Sequence, residues 1–174
     1  MFVQELAVAP IAFLLCICAG QTTLSKVLEP QSVDDFFYFD QATQGLKALP
    51  AEHWKAGAEQ RGLGRNLVTK GILIVSGTGS PFRIGNNDKT EFIFKTEDPE
   101  RAELFQFTVK KKQRQFEEVR LQGKSKEMLT GIPVNITKFG ESSYKLIPQA
   151  PLGPGQYALM FTTGRKIFTF GVGP

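Results

Sequence analysis

His53 is the single histidine of the chain, and its two cysteines, Cys16 and Cys18, both lie near the start. The side chains that most often hold zinc or iron, or activate a nucleophile, are therefore scarce. One imidazole without neighbouring cysteines makes neither a metal site nor a Ser-His pair, and His53 reads as a surface or helix-packing residue. Two glycine-bearing stretches invite a phosphate-binding reading and fail it on spacing. Ser76 to Arg83, SGTGSPFR, lacks the Lys-Ser/Thr ending of a P-loop and leads into a strand rather than a helix; Arg61 to Asn66, RGLGRN, has Gly62 and Gly64 but no third glycine. The first reads as a hairpin or edge connection, the second as a flexible link. Acid-base chemistry would need a carboxylate pair such as Glu117 or Glu118 with Asp98, which nothing in their spacing brings together. The expectation is a non-enzyme with no catalytic residue, no metal and no cofactor.

Binding chemistry has more candidates. Lys110, Lys111, Lys112 and Arg114, with Arg120, Lys124 and Lys126 beyond, form a basic run that could meet nucleic acid, an acidic glycan or lipid headgroups. Glu117 and Glu118 dilute the positive field, so a solvated hairpin is the favoured reading and nucleic acid is not the expected partner. Asp35 to Asp40, DFFYFD, belongs to a chain with 15 Phe, and such rings could stack on sugars. Core packing is favoured, because Phe outnumbers the amphipathic Trp and Tyr. Trp54 is read as capping the core from a helix, and Asn135-Ile136-Thr137 is an N-glycosylation sequon.

Elements must then be found to carry these residues. A chain of 174 residues, 41% hydrophobic and 22% charged, is large enough for one sizeable core. Pro10 to Ala19, PIAFLLCICA, is too short for the roughly 20 apolar residues of a membrane span and reads as the apolar region of a signal peptide cleaved after Gly20. Residues 1–20 are thus set apart from a single domain over 21–174, with no transmembrane span in the mature chain. The mature chain would contain no cysteine, and losing Glu5 would raise the formal net charge of +4 by one.

From residue 68 onward, short apolar or alternating runs separated by turn residues read as strands of a sandwich or barrel. EFIFKT places Phe92 and Phe94 on one face, ELFQFTVK places Phe105, Phe107 and Val109 together, and IPVNITKF keeps Ile132, Val134 and Ile136 in phase. SYKLIP does the same for Tyr144 and Leu146, and QYALMF and KIFTFGV flank a Thr162 to Arg165 turn. DFFYFD opens the domain as a strand, with GLKALP as its turn and return. Between them, PAEHWKAGAEQRG, with Pro50 in a first turn and Gly62 as a stop, predicts one short helix near residues 50–61.

Pro151 to Leu159, PLGPGQYAL, is the most specific local signal. Pro154 and Gly155 fit the second and third positions of a type II turn, Gly155 taking positive φ, and Tyr157 then opens a strand with its hydroxyl reaching back to the backbone. This stretch resembles the tyrosine corner of immunoglobulin-like sandwiches and is similar to the LxPGxY run of exported bacterial sandwich domains; the FTFGV ending is similar to those of exported bacterial proteins. The Cys and Trp that mark antibody domains are absent. The resemblance covers about the last 25 residues and implies a fold only: a mainly β, antiparallel, immunoglobulin-like sandwich whose structural corner is Pro154, Gly155 and Tyr157. The function expected is that of a non-enzymatic exported protein, periplasmic, cell-surface or secreted, acting as a structural or assembly component of the cell envelope or an extracellular complex through strand edges or a sheet face. The alternative is a glycan- or peptide-binding module.

Overall fold

The computed structural model describes residues 28–61, 68–86, 89–119, 131–162 and 164–173. The expected signal peptide, Cys16 and Cys18 lie outside them. Short aromatic and β-branched runs broken by turn residues produce strands: β1 (Phe36–Asp40), β2 (Gly45–Ala48), β3 (Ala51–Glu52), β4 (Trp54–Arg61), β5 (Val68–Ser76), β6 (Arg83–Ile84), β7 (Phe92–Lys95), β8 (Ala102–Lys110), β9 (Gln113–Val119), β10 (Val134–Lys138), β11 (Ser143–Pro148), β12 (Gly155–Phe161) and β13 (Ile167–Val172). The expected mainly β sandwich is what these strands build. They form two sheets, in the orders β10-β11-β7-β1-β2 and β3-β13-β12-β8-β9-β5-β4, antiparallel throughout except that β6 joins β13 in parallel.

Alternation decides which side chains meet between the sheets. Phe36 and Tyr38 of β1, Phe92 and Phe94 of β7 and Leu146 of β11 face Leu104 of β8, Tyr157, Leu159 and Phe161 of β12, and Phe168 and Phe170 of β13. Rings cross the gap directly, Phe36 on Phe161 at 4.7 Å and Phe92 on Phe170 at 4.8 Å between centroids. The pairing of Phe92 with Phe94 and of Tyr144 with Leu146 read from the sequence is therefore the core pattern. The return after β1 is also present, as β2 in antiparallel register with it.

The helix expected over residues 50–61 is not formed. Ala51–Glu52 and Trp54–Arg61 are strands, with His53 exposed between them. Helix propensity is worth only tenths of a kcal/mol per residue, whereas β4 gains an eight-residue ladder with β5, from Trp54 opposite Val75 to Arg61 opposite Val68. Pro50 suits a strand edge because only its carbonyl is required, accepting from Thr169 N–H at 3.2 Å.

β3 and β4 are consecutive in the chain yet stand at opposite ends of the larger sheet, so that sheet must roll until its ends meet. The roll begins where β9 leaves β8: their ladder stops at Thr108 opposite Gln115, and Phe116 folds back onto Phe105 at 4.4 Å. The space inside the roll is a second apolar cluster of Val75, Phe105, Phe107, Phe116, Ala158, Met160 and Ile167, with Trp54 and Leu73 against it. Phe105 and Phe107 thus line the roll rather than the sandwich, and Val109, expected beside them, is 47% exposed.

Candidate functional site

The C-terminal corner forms with a different turn from the one expected. The Tyr157 hydroxyl donates to the carbonyl oxygen of Gly153 at 2.8 Å, and the ring stacks on Phe170. Burial pushes the Tyr157 phenol above its ordinary range. Gly155, however, is the first residue of β12, and positive φ among the described glycines falls at Gly77 and Gly173. The type II turn with a left-handed Gly155 is therefore corrected. What position 155 requires is room, since a Cβ there would lie 3.3 Å from Tyr157 Cε2 and 3.4 Å from its oxygen. Pro154 packs near Gly173 at the chain's last strand.

The basic run separates into two environments. Lys110, Lys111 and Lys112 are exposed at the tip of the β8-β9 hairpin, where Lys111 and Lys112 both adopt positive φ, 50° and 63°. That is the backbone of a two-residue I′ turn, usually filled by Asn-Gly. Arg114 does not belong to the patch. It is 1% exposed, because in the β9 alternation it shares the inward face with Phe116. Arg120, Lys124 and Lys126 lie outside the described residues.

Arg114 is the centre of a polar network inside the roll. Its Nη1 and Nη2 donate to the two carboxylate oxygens of Glu52 at 2.9 and 2.6 Å, Nη2 also donates to Ser76 O at 2.8 Å, and Nε to Gly77 O at 3.3 Å. Thr169 Oγ1 bonds Glu52 and, at 2.9 Å, Ser80; Ser80 N–H donates to Gln156 Oε1 at 2.7 Å. Burial opposes ionisation of Glu52, yet the bonds from Arg114 and Thr169 and the guanidinium charge together hold its carboxyl below the usual carboxylate range. SGTGSPFR is thus an edge connection, as expected, whose carbonyls help to hold Arg114. The bonds of this network run between β3, β9, β13, the end of β5 and the connection after it, so the network cross-braces the roll.

A second carboxylate, this one buried, behaves alike. Glu91, 2% exposed, pairs with Lys89 at 2.7 Å and Lys145 at 2.9 Å, and Lys145 lies between the rings of Phe39 and Phe139. Burial raises the Glu91 carboxyl, but the two lysines more than offset this and hold it low. In DFFYFD, then, Phe36 and Tyr38 are core, while Phe39 serves this surface cluster.

The remaining sequence candidates are not brought together. Asp98 is held by Arg101 Nε at 2.6 Å, whereas Glu117 and Glu118 lie on β9. Asp98 and Arg101 line a cleft of about 700 Å3 with Asp34, Glu97, Arg165 and Lys166, but its charges are of both signs and partly paired, Lys166 with Asp35 at 2.9 Å. Trp54 is on β4, where Nε1 donates to Arg165 O at 3.0 Å and ties the roll shut. Asn135 is exposed on β10 and accepts from Gln149 Nε2 at 3.2 Å. No three of His, Cys, Asp and Glu gather among the described residues as a metal site would require, and no described helix is long and apolar enough to cross a membrane.

Strand edges are treated unequally. The outer edge of β13 is covered by β3, bonded opposite Ile167 and Phe168, and by β6, opposite Gly171 and Val172. β10, the terminal strand of the smaller sheet, pairs only with β11 among the described strands. The flanking bonds, Gln149 N–H to Pro133 O and Phe139 N–H to Ser143 O, fix the alternation so that Ile136 and Lys138 turn their backbone groups away from β11. Below this edge a groove of about 410 Å3 runs between Ile132, Val134 and Ile136 and the start of β8 at Ala102, Glu103 and Leu104. Nothing in the sequence reading singled out Glu103. The carboxylate Oε2 is buried with no hydrogen-bond partner among the described residues, and burial pushes the carboxyl above the ordinary range.

The class defined by these features is an antiparallel β-sandwich with one sheet rolled around a buried ion pair. Neither a protein-family model nor a curated protein nor a solved structure matches the chain.

Proposed function

We propose that this is a non-enzymatic, immunoglobulin-like sandwich, exported from the cytoplasm, that serves as a structural or assembly component by joining another protein chain at a sheet edge. The observation that carries the reading is the contrast between edges, β13 covered by β3 and β6 and β10 paired only with β11 among the described strands, above a groove. An unsealed edge displays a row of backbone donors and acceptors that a second strand completes. The immunoglobulin-like part is supported by strand order: β1-β7-β11-β10 and β8-β12-β13 match the ABED and CFG orders of that fold, and Tyr157 stands at the start of the strand equivalent to F. Export is supported by the apolar stretch Pro10 to Ala19 followed by Gly20.

Cross-linking mass spectrometry of the full chain in the organism that encodes it, with the mature N-terminus read from the same spectra, tests the reading. Reproducible cross-links from one protein chain to residues flanking a sheet edge, in a protein beginning at Gln21, are expected. A protein that begins at Met1 and cross-links to nothing overturns it.

A further inference from the structure

We propose that the chain that joins β10 is the β10 of a second copy, the two strands pairing antiparallel about Ile136 so that Lys138 of each copy enters the groove of the other beside Glu103. This rests on the edge-joining reading above and names its partner.

Three observations converge on a second copy. The first is register. Even-numbered residues of β10 point their N–H and C=O groups outward, so a two-fold pair centred on Ile136 sets Ile136 against Ile136 and Val134 against Lys138, and all four positions present outward groups to one another. The second is the face. Val134, Ile136 and Lys138 are in phase, Val134 and Ile136 line the groove, and Lys138 lies over Tyr144 at 4.5 Å on that same face. Adding β10 of a second copy therefore continues the apolar row and delivers a lysine to the Val134 end.

The third is charge. Glu103 lines the groove with Val134, its Oε2 buried and without a partner among the described residues, and Glu100 stands at the same groove. A carboxylate removed from water without a hydrogen-bonding partner is costly, and an ammonium brought into the groove beside it offsets that cost by its opposite charge. Lys138 is also the only charged residue of β10. It does not guard the edge as edge lysines commonly do, since it lies at the strand's end, over Tyr144, rather than in its middle. The smaller sheets of the two copies would become one ten-stranded sheet, with both larger sheets on the same side of it.

Sedimentation equilibrium of the full chain from about 1 to 500 μM tests this. The expected result is a reversible monomer-dimer equilibrium. K138E is expected to weaken association at least tenfold, and the double variant E103K/K138E to recover most of it by restoring the pair with its signs exchanged. I136P removes an outward N–H without breaking the β10-β11 ladder, so it is expected to leave a folded monomer by circular dichroism. K138E alone suffices should E103K not fold, because Lys138 is exposed. A monomer at every concentration overturns the proposal, as does a dimer that K138E and I136P leave unchanged. If the protein is monomeric and cross-links in its host to a different protein, the second-copy inference fails while the edge-joining reading stands.

Discussion

Removing Glu52 isolates a charge that the roll has almost entirely withdrawn from water. Arg114 is 1% exposed and makes two of its hydrogen bonds to the Glu52 carboxylate and two to the carbonyls of Ser76 and Gly77. Breaking a buried ion pair by deleting one partner costs roughly 3–5 kcal/mol. The lower end applies here, because the two carbonyls remain and the Glu52 side chain, 22% exposed, marks a path for water. Glu52→Ala is thus expected to lose about 3 kcal/mol, which for a domain of this size lowers Tm by roughly 6–12 °C. Arg114→Met leaves the more accessible partner and is expected to lose about 2 kcal/mol. Glu52→Leu combined with Arg114→Met replaces both charges with apolar volume, and such replacements are often neutral, so the double variant is expected within about 1 kcal/mol of the parent. Guanidinium denaturation followed by Trp54 fluorescence and circular dichroism gives the cycle. A double variant that loses the sum of the two single losses would refute the reasoning, since the pair would then be two independent contacts.

Tyr157→Phe is expected to lose roughly 1 kcal/mol or more in the same assay, because the Gly153 carbonyl forfeits its 2.8 Å donor; an unchanged midpoint would mean that the hydroxyl does not hold the corner. Lys112→Gly is expected to gain about 1 kcal/mol, since φ of 63° costs glycine nothing and the exposed lysine side chain contributes little there. Glu52 and Glu91 have lowered pKa values in the folded protein, so their stabilisation is complete above the ordinary glutamate value of about 4.3 and is lost as pH falls through the lower folded values. Denaturation midpoints are expected to be flat near neutrality and to fall below about pH 4, less steeply in Glu52→Gln. Glu103 runs the other way: its raised carboxyl favours folding only when protonated, so Glu103→Gln in the monomer is expected to raise stability at pH 7 and to give no gain below about pH 4.

Legibility in the sequence followed the range of the interaction responsible. Period-2 alternation is local, and Phe92 with Phe94, Tyr144 with Leu146 and the Tyr157 corner could be read from a few residues each. The misread segment, residues 50–61, is rich in Ala, Glu and Lys, whose helix preference is real but small; the ladder with β5 that overrides it is formed by residues the local pattern does not contain. Gly155 was assigned conformational freedom when its neighbourhood requires the absence of a side chain, a fact visible only once the Tyr157 ring is placed. Arg114 was grouped with three lysines by adjacency, although its phase with Phe116 places it on the apolar face, and Glu52 stands in the same relation to Trp54. Those two phases were the available signal for the ion pair. Glu103 had no such signal, since its burial depends on Gly131 and Ile132 crossing beside Leu104.

The closure of the larger sheet around the ion pair depends on one feature of the chain, the stretch between β1 and β6. β1 and β7 are neighbours in the smaller sheet, yet β2, β3, β4, β5 and β6 intervene between them in the chain. β3 seals the first half of β13, β4 and β5 extend β9, and Glu52 and Trp54, one on each side of His53, fasten the two ends of the larger sheet through Arg114 and the Arg165 carbonyl. A hydrophobic contact could close the same roll but would tolerate a slip of the strands. A bidentate guanidinium-carboxylate pair does not, because sliding β3 by one residue turns Glu52 to the opposite face. The pair therefore fixes register at the larger sheet's closure. At the smaller sheet, the β11 ladder fixes the geometry of β10, and with it the outward backbone groups of Ile136 and Lys138 and the groove beneath them.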